Sequence, residues 1–180
     1  MSKPEIETTE TKVVYKNRWM TVREDAIVRS NGTTGVYGIV EKADFAVIAA
    51  IRDQSIHLVE QYRYPVKGRF WELPQGSWED RTIDPLELAK AELREETGLV
   101  AGSMRHVGRL FLGCGYSTQA YDIYFATELR EGETQLDAEE EGLVSRAFPV
   151  RVVQTMIEDG TIKDATTVAA FGLLRLKGLL

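Results

Sequence analysis

The chain predicts an α+β layered domain, with one helix set among strands and a second helix on the outside. Three observations carry that expectation. The stretch Gly76 to Leu99 has both ends of a helix written into it. Short apolar or alternating runs on either side of it have strand length and β-branched composition. A mostly apolar C-terminal segment follows an acidic capping residue and has helical period. At 180 residues the chain is long enough for one domain with a real core.

Taken in order, residues 1–11 are polar and mixed in charge and are expected to be loose. Val13 to Val28 gives strand-like pieces, with alternation around Met20 and Val22, and Asn31-Gly32 reads as a turn. Val36 to Val40, Phe45 to Ile51 and Ile56 to Gln61 are further strands, the last two joined by a hairpin turn at Asp53-Gln54-Ser55. Beyond the central helix, Val107 to Leu112 and Tyr121 to Ala126 are strands. A short helix starts near Val150 and ends at Asp159-Gly160, and Asp164 caps a last helix that runs to about Leu176. No repeat, low-complexity tract or linker divides the chain.

The central helix is the most specific element. Asp84 suits the N-cap, Pro85 the first helical position, Glu87 the reciprocal place in a capping box, and Gly98 the left-handed stop. Leu86, Ala89 and Leu93 share an arc that can bury, while Glu87, Lys90 and Arg94 point away. Glu92, Glu95 and Glu96 stand at i, i+3 and i+4, so their carboxylates crowd one side. Like charges so placed repel by a few tenths of a kcal/mol per pair, roughly, unless a cation sits among them. Spacing alone leaves two readings open: a solvated acidic face, or a site for a hard divalent ion.

Glu92-Leu93-Arg94-Glu95-Glu96-Thr97-Gly98-Leu99, with Gly76 upstream, resembles the Nudix box of hydrolases that cleave nucleoside diphosphates linked to another group. The family pattern places a glycine, five residues, a glutamate and seven residues before its Arg-Glu-aliphatic-x-Glu-Glu-x-Gly-aliphatic half. Gly76 stands one residue too far upstream, the arginine is Ala91, and the earlier glutamate falls at Thr82 or Ile83. In the family those two residues pair and brace the loop. Their joint loss strands no single charge, and Trp78 is a candidate replacement anchor. The resemblance implies a Nudix fold, an α/β/α sandwich with a mixed sheet. It also implies residues 1–40 as an N-terminal strand region for dimerisation and part of the substrate site, and residues 41–180 as the hydrolase domain.

Arg18 to Val22, Leu58 to Pro65, Trp71 to Gly76 and Ile157 to Ala165 narrow the resemblance to the ADP-ribose pyrophosphatase branch. One marker departs: where members commonly carry a proline after the box, this chain has Gly113-Cys114-Gly115. The implied reaction is Mg²⁺-dependent hydrolysis of ADP-ribose or a related nucleoside diphosphate sugar, with Mn²⁺ able to substitute. A catalytically impaired nucleotide sensor is the alternative; clean-up of an oxidised nucleoside triphosphate fits the matched segments less well. By resemblance, Glu92 and Glu96 hold the metal, with Glu95 and the Gln75 carbonyl nearby. A base or extra ligand would come from Glu140 or Glu141 of the Glu139-Glu140-Glu141 run. Trp19 and Tyr37 fall where relatives stack the base, Tyr37 reaching a partner's pocket in a homodimer, and Arg63 where a guanidinium can fork onto phosphate.

Composition agrees with a small-molecule substrate. A net charge of −6 and an isoelectric point near 5.1 argue against gripping a nucleic-acid backbone. The longest apolar run, Phe45 to Ile51, is too short to span a bilayer, and the N-terminus lacks the apolar stretch of a signal peptide. Cys114 is the only cysteine, which excludes an intrachain disulfide framework and suits a reducing, cytoplasmic setting.

Overall fold

A computed structural model of the chain describes residues 4–78, 83–132 and 142–180. Two sheets organise it. The first is a three-stranded antiparallel sheet of β1 (Ile6–Lys16), β2 (Thr21–Arg29) and β3 (Thr34–Glu41), in that order. The second is a mixed seven-stranded sheet of β4 (Phe45–Arg52), β5 (Ser55–Arg63), β6 (Gly68–Glu72), β7 (Gln75–Gly76), β8 (Leu99–Phe111), β9 (Ala120–Glu131) and β10 (Val144–Pro149). Its main path runs β10-β5-β4-β9-β8, with β6 on β5 and β7 on β4, and the β4–β9 pairing is parallel.

Helices cover both faces of the mixed sheet. α1 (Pro85–Thr97) lies on one side, where Ala46, Ile48 and Ala50 of β4 meet Leu88, Ala89 and Leu93. On the other side Val47, Ala49, Leu58 and Ile123 meet residues of α2 (Val150–Glu158) and α3 (Ala165–Leu176), including Val153, Ala170 and Leu174. β4 faces both layers, so Ala46 to Ala50 are buried without a break and read as a continuous apolar run. This is the expected α/β/α sandwich with an added N-terminal sheet. The two are joined where Val40 and Ser117 bridge, with the Val40 and Thr118 amides donating to the Tyr116 and Val40 carbonyls at 2.8 and 3.0 Å.

The local signals for α1 act as read. Asp84 caps by accepting from the Leu86 amide at 2.9 Å, and Gly98 closes the helix at φ 71°. Leu88 rather than Leu86 takes the inner place beside Ala89 and Leu93; Leu86 packs at the edge.

Three expectations are corrected. Residues 1–11 are not wholly loose, because β1 starts at Ile6 and pairs with β2 from Ile6↔Arg29 to Lys16↔Thr21. Every β1 residue is exposed, so no buried face imposes the apolar alternation that would have shown it. The strand expected from Val107 begins at Leu99, and a register shift between His106 and Gly108 breaks its periodicity. β6 and β10 were not anticipated; β10 is mostly exposed and borrows its order from pairing with β5. Among the described residues no helix is long and apolar enough to cross a membrane.

Candidate active site

The segment from Glu72 to Gly76 is the hub of the site, and three elements fix it. β4 holds it by the Ile48 amide donating to the Pro74 carbonyl at 2.9 Å and by the pairs Ala46↔Gly76 and Val47↔Gln75. α3 holds it through Thr167, whose hydroxyl accepts from the Leu73 amide at 2.9 Å and donates to the capping Asp164 at 2.7 Å. α1 holds it through Glu96, which accepts from the Gln75 amide at 2.9 Å. The Gln75 amide is thus committed to a carboxylate of α1.

Glu92 and Glu96 are buried, at 5% and 1% exposure, although their spacing alone also allowed a solvated face. Gly76 makes room for one of them: a Cβ there would stand 2.1 Å from Glu92 Oε2. Two buried carboxylates and a glycine-made recess form a hard-oxygen donor set that fits a divalent cation. Glu95 is half-buried on the same helix. Among the described residues no three His, Cys, Asp or Glu side chains are grouped to hold an ion by themselves. Glu139, Glu140 and Glu141 lie outside the described residues.

Beside this recess opens a cleft of about 890 Å³ that Gln75 and Gly76 line together with Arg63, Glu72, Lys42 and Lys163. Arg63, at the end of β5, donates to Glu72 of β6 from Nη2 at 2.5 Å and Nε at 3.3 Å. Glu72 is 2% exposed, and burial pushes its carboxyl above the ordinary range, partly offset by Arg63. Sequence reasoning had given Glu72, Lys42 and Lys163 no role. Nothing in local spacing marks them, since β5, β6, the β3–β4 connection and the approach to α3 meet only in the fold.

Other expected site residues lie apart. Trp19 sits in the β1–β2 turn, its amide and that of Met20 donating to Asn17 Oδ1 at 2.9 and 2.8 Å. Tyr37 lies on β3 opposite Asp25. Both are exposed, and neither is among the residues lining the cleft of their own chain. Trp78 and Ile83 pack against the α1-side core.

Residues 42–171 match the model of the NUDIX domain. The chain belongs to the Nudix family. Residues 6–40 match a second model, the nucleoside diphosphate sugar hydrolase N-terminal domain. Over 171 residues the chain is 28% identical to an ADP-ribose pyrophosphatase of Mycobacterium tuberculosis, covering 94% of this chain and 83% of the relative. Over 175 residues it is 29% identical to a methanol dehydrogenase activator of Bacillus methanolicus, covering 96% and 94%. A solved structure titled as an ADP compounds hydrolase superposes with a TM-score of 0.85 over the whole of both chains at 23% identity, a likeness of fold.

Proposed function

We propose that this Nudix chain is a pyrophosphohydrolase that cleaves the diphosphate of ADP-ribose or a related nucleoside diphosphate sugar. Water adds to one phosphorus, the bridging P–O bond breaks, and a nucleoside monophosphate and a sugar phosphate leave. The observation that carries this reading is the meeting of two binding features at Gly76: the recess holding Glu92 opens beside the cleft lined by Arg63. The relatives named for ADP-ribose hydrolysis and the nucleoside diphosphate sugar N-terminal model support the same substrate class.

In this reading Glu92, Glu96, Glu95 and the Gln75 carbonyl hold a divalent ion, Mg²⁺ by preference and Mn²⁺ as a substitute. When bound, the ion would neutralise charge at the diphosphate and make water a stronger nucleophile. Arg63 presents a guanidinium to phosphate, Glu140 or Glu141 takes the proton of the attacking water, and Trp19 and Tyr37 sandwich the base. Tyr37 would come from a partner subunit; Trp19, like Tyr37, does not line the cleft of its own chain. Residues 1–40 would then serve assembly and substrate affinity, and residues 41–180 the chemistry. The exposed, unpaired Cys114 thiol suits a reducing cytoplasm.

The packing of Trp78 and Ile83 against the α1-side core supports the enzyme reading over an impaired sensor. A panel of ADP-ribose, GDP-mannose, UDP-glucose and a nucleoside triphosphate with Mg²⁺, assayed for released phosphomonoester, tests the reading. Turnover is expected with ADP-ribose or one of the sugar nucleotides. Turnover confined to the triphosphate would overturn it.

A further inference from the structure

We propose that Glu72 is a positioning residue that clamps Arg63 side-on, leaving the other edge of its guanidinium free to fork onto the substrate's phosphate. The inference rests on the assignment of Arg63 to phosphate binding and adds the device that aims it. A guanidinium is planar, with five N–H donors in a fixed fork. Glu72 engages Nε and Nη2, at 3.3 and 2.5 Å, which uses the side edge. Nη1 makes no hydrogen bond to any described residue, so Nη1 and the outer N–H of Nη2 remain as an end-on pair. That pair matches two oxygens of one phosphate, and both residues line the same cleft.

The pairing is not what a stability role would choose. Arg63 is 41% exposed along its side chain and could be solvated without a partner, whereas the Glu72 carboxylate is 2% exposed and loses its hydration. Register explains why Arg63 needs the clamp. Gly68 lies opposite Arg63 and Val59 opposite Glu72, so the long arginine must run back along the β5–β6 hairpin to reach its partner. Without that anchor, a chain with four rotatable bonds at the mouth of a wide cleft would sample many positions. The clamp also ties the guanidinium to the rigid segment that carries Gln75 and Gly76, so phosphate and metal donors keep one relative placement.

Steady-state kinetics on ADP-ribose with saturating Mg²⁺ tests this. Arg63→Ala should raise KM about thirtyfold, the size of a lost charge-assisted pair of hydrogen bonds. Glu72→Gln should raise KM about tenfold with kcat within about twofold, and adding it to Arg63→Ala should change KM no further.

If Glu72→Gln fails to fold, Arg63→Lys reads the same clamp, since lysine keeps the charge but cannot hold Glu72 side-on and phosphate end-on together. KM in Arg63→Lys should then rise nearly as far as in Arg63→Ala, and a retained KM overturns the proposal. An unchanged KM in Arg63→Ala would remove the phosphate assignment itself. A raised KM in Arg63→Ala with an unchanged KM in Glu72→Gln would overturn the clamp alone. So would a fall in kcat at constant KM, which would place Glu72 in support of Gln75 instead.

Discussion

The N-terminal sheet and the sandwich are built on opposite principles. In the sandwich, Ala46 to Ala50 are inaccessible in sequence and Leu58, Leu73, Leu93 and Ile123 are fully buried, each aliphatic chain contributing about 1.5–3 kcal/mol. In the N-terminal sheet β1 is exposed throughout, β3 has no buried residue, and β2 buries only Asp25 and Ile27. A sheet of three strands with so little covered face is marginal alone, and its edge strands β1 and β3 are open to pairing. In the proposed function the difference separates two tasks. A rigid core can hold carboxylates within reach of a phosphate, while an exposed sheet offering Val13, Val36 and Tyr37 is suited to meeting a second copy of the chain.

The sharpest way to break this division is at the metal recess. Glu92→Gln should lower kcat by about a thousandfold, roughly 4 kcal/mol of barrier, while melting changes little. Gly76→Ala comes next. Its Cβ would collide with the movable end of the Glu92 side chain, so the fold yields easily but the carboxylate leaves its recess. A loss of activity of about 10–100-fold is expected, as for residues that support a metal ligand. Activity near the parent's in Gly76→Ala would show that the recess has no part in the chemistry.

Deleting residues 1–40 should act on the other side of the division. Sedimentation should change from about twice the 20.3 kDa chain mass to a single shortened chain, with KM for ADP-ribose rising by roughly tenfold or more. A full-length protein that sediments as a monomer and still turns over ADP-ribose fully would contradict the role given to β1–β3. Trp78→Ala should cost about 2–3 kcal/mol of stability, measured by denaturant unfolding, because a half-buried indole leaves the α1-side core. Ala91→Arg is expected to do least: it adds a cation without the family's partner, so kcat should not rise. A several-fold gain would mean that the apolar anchor only partly replaces the ion pair.

How much of this could be read beforehand followed from how local each signal is. α1 was legible because Asp84, Pro85 and Gly98 specify its ends through contacts within a few residues. Glu92 and Glu96 were legible by helical spacing, but their burial under Gly76 was not, since it depends on where β7 passes. The start of β1 at Ile6 was not legible because a strand exposed on both faces carries no apolar alternation. The Arg63–Glu72 clamp joins the ends of a hairpin whose register no single residue announces, so the two appeared as separate members of a family resemblance.

Glu96 gives the most direct test of the account. Its carboxylate accepts from the Gln75 amide, and a glutamine oxygen can keep that bond while giving up the charge. Glu96→Gln should therefore fold as the parent does. Release of phosphomonoester from ADP-ribose, followed as Mg²⁺ is raised to saturation, is predicted to stay about a thousandfold below the parent's at every concentration. Near-normal turnover at saturating Mg²⁺ would contradict the assignment of this helix to the metal.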